Sequence, residues 1–118
     1  MSDPWPEELR VASGGKQLAV TFDTGEGFTL EAELLRVESP SAEVKGHGPG
    51  QEQLVWGKRY VKILRLDPVG TYAVRIVFDD GHNTGLYTWP YLHKLGRERA
   101  SIWQDYLDKL AAAGFSRG

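Results

Sequence analysis

Cysteine is missing from all 118 residues. Disulfides, thiolate catalysis, Cys-ligated zinc sites and Cys-ligated iron–sulfur clusters are therefore excluded within this chain. Long apolar runs are missing too, and none of the short ones present can cross a bilayer. The opening MSDPWPEELR is acidic and interrupted by Pro4 and Pro6, so it has no signal-peptide core, and cytoplasmic residence is the expectation. Charge of one sign is also scarce. The 14 Lys and Arg against 16 Asp and Glu leave a net −2, which supplies no basic field for nucleic acid or an anionic membrane. Two motif families are absent as well. No serine sits in a G-x-S-x-G elbow. Lys58 follows Gly57, but Glu52 stands where a P-loop needs its first glycine and Arg59 where it needs Ser or Thr.

What is present suits one folded domain: 41% hydrophobic and 25% charged residues over a length that can bury a single real core. Residues 1–14 read as an N-terminal arm with at most one short element, 15–114 as the domain, and 115–118 as a tail. In KQLAVTF, Leu18, Val20 and Phe22 alternate to one side, which is strand periodicity. DTGEG is a turn cluster, and FTL returns as a short strand. EAELLRV has helical spacing, and Ser39-Pro40 stops it because proline disfavours the α conformation before it. KGHGPGQEQ, with its glycines and Pro49, is expected as an exposed loop.

The second half predicts a meander from Tyr60 to Thr88. YVKILRL is a strand, DPVG a tight turn with Pro68 at its first central position, and TYAVRIVFD a strand with Tyr72, Val74, Ile76 and Phe78 on one face. Asp80-Gly81 fits a two-residue type I′ turn leading into HNTGLYT as the return strand. WPYLHKLG is a short helix with Pro90 in its first turn. RERASIWQDYLDKLAAAG is an amphipathic helix whose stripe is Ile102, Trp103, Tyr106, Leu107 and Leu110, stopped by Gly114. The fold class is α+β: a small, mostly antiparallel sheet packed by the C-terminal amphipathic helix and by a short helix after the second strand.

Chemistry is sparse. Asp79, Asp80 and Gly81 have a sufficient reason to exist in the hairpin turn, and adjacent carboxylates on a strand end point different ways, which argues against an acid–base dyad. His82, beside that turn, has the chemistry to ligate a metal or cap a backbone group, against the plainer reading of a structural histidine. His47 lies between glycines, where either a close contact with a partner or a simple surface loop fits. His93, between Leu92 and Leu95, reads as a partly buried helix residue. Trp89, Tyr91, Trp103 and Tyr106 are spaced like core. The residues alone give no support for catalysis.

Three motifs in order, SPSAEV.GH, PVG.YAV.I.F.DGH..G.Y.W and YL..LG, resemble the family of domains named after the N-terminal domain of gamma-butyrobetaine hydroxylase, whose bacterial stand-alone members are of unknown function. The resemblance covers roughly residues 15–110. In the eukaryotic hydroxylase such a domain precedes the dioxygenase domain and holds zinc through three cysteines and a histidine. Similar domains occur with Mrp-type P-loop NTPases that carry iron–sulfur clusters. Carried over, the family histidine falls on His82 and the cysteines on Ser39, Ser41 and Val44, so every thiolate is replaced. One imidazole and hydroxyls cannot hold zinc tightly. Weak binding of zinc or iron, or of a small ligand, by His82 joined by His47 is the alternative reading. The resemblance implies a non-enzymatic accessory domain without hydroxylase activity. Its expected partner is a protein, an iron–sulfur carrier NTPase in the leading reading. The expected contact surface is Ser39, Pro40, Ser41, Glu43, His47, Asp79, Asp80 and His82.

Overall fold

The computed structural model describes residues 3–45 and 53–118. The elements run β1 (Pro6–Ala12), a 3-10 turn (Ser13–Gly15), β2 (Gln17–Phe22), β3 (Gly27–Glu31), α1 (Ala32–Val37), α2 (Ala42–Lys45), β4 (Ile63–Val69), β5 (Ala73–Phe78), β6 (Leu86–Thr88), α3 (Trp89–Arg97) and α4 (Arg99–Ala113). They make two three-stranded sheets, ordered β1-β2-β3 and β4-β5-β6, each antiparallel throughout. The architecture is α+β, with the expected single sheet resolved into two.

The alternation read in KQLAVTF sets the first sheet. Leu18, Val20 and Phe22 are buried, and β3 sets Leu30 opposite Leu18 and Phe28 opposite Val20. In β5 Val74, Ile76 and Phe78 face the same core, which Leu34, Leu35, Tyr87, Leu92 and Leu95 complete. At the end of the 3-10 turn, Gly15 has φ +95° and lies so close to β4 that a Cβ there would come within 2.6 Å of the Ile63 carbonyl. Only glycine allows both the backbone conformation and this approach of one sheet to the other.

Several local expectations are corrected. Within the expected arm, β1 pairs along β2 from Pro6 to Ala12, so this stretch is a strand of the first sheet. The DPVG turn is displaced: Asp67, Pro68 and Val69 continue β4, and the turn follows at Gly70, Thr71 and Tyr72. Proline is tolerated there because β4 is an edge strand and needs no N–H on its open side. Tyr72 thus sits in the turn, 54% exposed, rather than on the buried face. The meander starts at Ile63, since Tyr60 lies outside the strand. The 79–81 hairpin is not a two-residue I′ turn. The Gly81 amide donates to the Phe78 carbonyl, the Phe78 amide donates to the His82 carbonyl, and Gly81 alone of the loop has positive φ. That is the three-residue loop closed by a left-handed glycine. The return strand is confined to Leu86–Thr88, so His82 to Gly85 run irregularly.

The C-terminal residues are tied down. The Ser116 and Arg117 carbonyls accept from the Gly57 and Arg59 amides at 3.0 and 2.9 Å. Arg117 makes a two-pronged ion pair with the buried Glu33, at 3.0 and 2.7 Å, while lying over the Trp103 ring. Among the described residues no helix is long and apolar enough to cross a membrane.

Candidate functional site

The segment after α1 is held by two tyrosines. Tyr87 from β6 donates its hydroxyl to the Leu35 carbonyl, and Tyr91 from α3 donates to the Glu38 carbonyl. Burial pushes both phenols well above their usual range, Glu38 adding to the effect at Tyr91, so both remain donors at any physiological pH. With the last turn of α1 clamped, Ser39-Pro40 redirects the chain. The Ser41 hydroxyl then accepts from the Glu43 amide at 3.2 Å and starts α2.

Against this segment the hairpin delivers His82. Its ring is 3% exposed, with Nε2 2.8 Å from Ser39 Oγ and Nδ1 3.1 Å from Glu43 Oε2. The second hydroxyl, Ser41 Oγ, meets Thr84 Oγ1 at 2.6 Å. Burial, and then the nearby Arg36 guanidinium, lower the His82 pKa against the opposing pull of Glu43 and Asp80, so the neutral ring is favoured. The arrangement that satisfies every group has Nδ1–H donating to Glu43 and the Ser39 hydroxyl donating to Nε2. Asp80 has more to do than shape a turn. Its Oδ1 accepts from the His82 amide at 3.0 Å, and its Oδ2 lies 2.7 Å from both Arg36 Nε and Lys58 Nζ. Burial raises its pKa, but Lys58, the His82 amide and Arg36 outweigh that and bring it down to about 2. Asp79 accepts from the Lys62 amide at 3.0 Å.

Serine, histidine and glutamate in line have the order of a nucleophilic triad. The surroundings deny it that use. A Cβ added to Gly85 would fall 2.4 Å from Ser39 Oγ, so backbone fills the space a substrate carbonyl would need. Ser39 itself is 0% exposed. The donor set does not fit zinc either. Hydroxyls stand at two of the thiolate positions, Val44 carries no donor at the third, and both His82 nitrogens are engaged. Among the described residues no group of three or more His, Asp and Glu side chains is placed to hold a metal ion.

The fold therefore brings together Ser39, Ser41, Glu43, Asp80 and His82 of the expected set, with Pro40 half-buried and Asp79 at the exposed hairpin tip. His47 lies outside the described residues. Ser39, Ser41 and His82 are buried, so among the described residues of the expected surface Pro40, Glu43, Asp79 and Asp80 offer contact to a partner. Arg36, Lys58, Thr84 and Gly85 were missed as members of the cluster. The one signal that could have flagged Gly85 is its position two residues before the strand tyrosine Tyr87, where a side chain would collide with the serine segment.

A small α+β domain with a closed serine–histidine cluster between the end of α1 and the β5–β6 hairpin is what fold and site define. Residues 9–93 match the family described as Gamma-butyrobetaine hydroxylase-like, N-terminal, and the chain belongs to that family. Two solution NMR structures are similar over 98% of this chain. One has 41% identity, a TM-score of 0.84 and 91% of its own length covered; the other has 49% identity, a TM-score of 0.83 and 86% covered. A crystal structure of a protein of unknown function from the DUF971 family of Acidithiobacillus ferrooxidans is 40% identical with a TM-score of 0.67, over 80% of this chain and 98% of that one. No curated protein matches the sequence. What the comparisons establish is thus membership of this family, and the DUF971 neighbour is itself of unknown function.

Proposed function

We propose that the domain is a non-enzymatic accessory module of the cytoplasm that docks onto a protein partner, an iron–sulfur carrier NTPase of the Mrp type. The observation that carries the reading is the contrast between a spent polar cluster and an offered aromatic surface beside it. Every polar group on the His82 ring is used internally. The hairpin carrying it is joined through the Asp80–Lys58 ion pair to a segment where Trp56, 54% exposed, stacks on Phe115, 44% exposed, at 5.2 Å, with Tyr60 nearby and even more open. Exposed Trp and Tyr of this kind are the residues that dominate protein interfaces.

The test is a titration of the purified chain with a purified Mrp-type NTPase, with and without its cluster, followed by calorimetry. Saturable binding is expected, and Trp56→Ala with Phe115→Ala should weaken it at least tenfold. A folded double variant that binds as tightly as the wild type would remove this surface from the interface. Absence of binding by the wild type would remove the partner.

A further inference from the structure

Helix α2 turns Glu43 toward His82 but places Val44 and Lys45 in a different feature, a groove of about 530 Å³. The volume lies in the range of small-molecule sites. Among the described residues four segments build it: Val37 and Glu38 at the end of α1, Val44 and Lys45 of α2, the stretch 53–55, and Tyr106 and Lys109 of α4. Its floor belongs to a second, smaller apolar cluster in which Val37, Tyr106 and Leu110 are buried and Leu54 and Val55 remain half-exposed. None of these residues belongs to the main core, and the open volume lies against apolar and charged side chains together.

The polar groups of the groove narrow the ligand. The Tyr106 hydroxyl donates to the Val55 carbonyl at 2.8 Å, and burial, then the charge of Glu33, pushes the phenol up to about 12. It is neutral and committed, so it offers only its ring. Lys45 faces Glu38 at 3.7 Å, while Lys109 makes no ion pair among the described residues. Among the described residues the lining thus carries one cation in excess. A multiply charged anion would meet Glu38 as well as the lysines, and an alkylammonium would meet Lys109 head-on.

We propose that this groove binds a small amphiphilic carboxylate, with the hydrocarbon chain on Val37, Val44, Leu54 and Val55 and the carboxylate on Lys109. The site is independent of the Trp56–Phe115 surface and of any protein partner. Amide NMR titration of the full chain with octanoate, hexanoate and octylammonium tests it. Octanoate should give saturable shifts at Val37, Val44, Leu54, Val55 and Lys109. Losing two methylenes in hexanoate should weaken binding roughly tenfold, as buried CH₂ groups require. Lys109→Glu, at an exposed position, should keep the native spectrum, weaken octanoate about fivefold and improve octylammonium. Three results would each overturn the proposal: no saturable shift at these amides up to millimolar octanoate, octylammonium matching octanoate on the wild type, or octanoate unaffected by the charge reversal in a folded variant.

Discussion

The short helix α2 borders two environments of opposite character. On the Glu43 side, Ser39, Ser41, Thr84 and His82 form a hydrogen-bonded polar cluster, buried at Ser39, Ser41 and His82, with backbone packed onto it at Gly85. On the Val44 side, Val37, Leu54 and Val55 line an open groove together with Glu38, Lys45 and Lys109. The contrast shows that the presence of catalytic-looking residue types decides little. Buried hydroxyls and an imidazole that bond to each other hold two chain segments together, as an unsatisfied group there would be expensive. The chemically bland side is the one with room for a ligand.

The sharpest way to test this contrast is to crowd the closed side. Gly85→Val should destabilise the domain by about 3 kcal/mol, the upper range of overpacking, because its Cβ would lie 2.4 Å from Ser39 Oγ and 3.1 Å from the Tyr87 ring. Val44→Ala, at the groove, should cost about 1 kcal/mol. Urea unfolding measures both, and equal losses would mean that the two sides are packed alike. Next in size is Ser39→Ala, which strands His82 Nε2 and should cost about 2 kcal/mol.

Asp80→Asn and Gly81→Val should come out similar, at about 1–2 kcal/mol each. A reading from turn chemistry alone would put nearly all the damage on Gly81. Valine there suffers only left-handed backbone strain, since an added Cβ meets no atom within 4 Å. Loss of the Asp80 charge leaves Arg36 and Lys58 uncompensated. If Asp80→Asn is neutral, the ion pairs contribute nothing.

Smaller still is a pH effect. The His82 pKa is lowered on folding, so the unfolded chain binds the proton more readily. Stability from the neutral ring is full above the ordinary histidine value of about 6.5 and is lost as pH falls through the lower folded value. Asp80, held at about 2, keeps its contribution until far more acidic pH. The slope in unfolding free energy just below pH 6.5 should shrink in His82→Asn, and an identical slope would assign it to other groups. Last, EDTA should leave the melting temperature unchanged, because the cluster closes on hydrogen bonds. A fall of several degrees would reveal a structural ion.

Much of the frame was legible in the chain. Period-two alternation marked β2 and most of β5, the serine–proline step marked the end of α1, and the apolar stripe with Gly114 marked α4. These are local consequences of side-chain spacing and backbone preference. The errors were local conflicts decided at longer range. Pro68 reads as a turn residue until it is known that β4 has an open edge, and Asp80-Gly81 reads as I′ until the pairing of Phe78 with His82 fixes a longer loop.

The site divides in the same way. Sequence alone determined that no thiolate chemistry is available, that a histidine follows a tight turn, and that two serines flank the proline after the first helix, because residue identity and short-range spacing suffice for those statements. Tertiary structure alone decided that Ser39 and His82, separated by 43 positions, share a hydrogen bond, that Asp80 joins two cations, and that Val37, Leu54, Val55 and Lys109 surround a common groove. Burial, pairing and open volume are properties of how distant segments pack, and no local pattern encodes them.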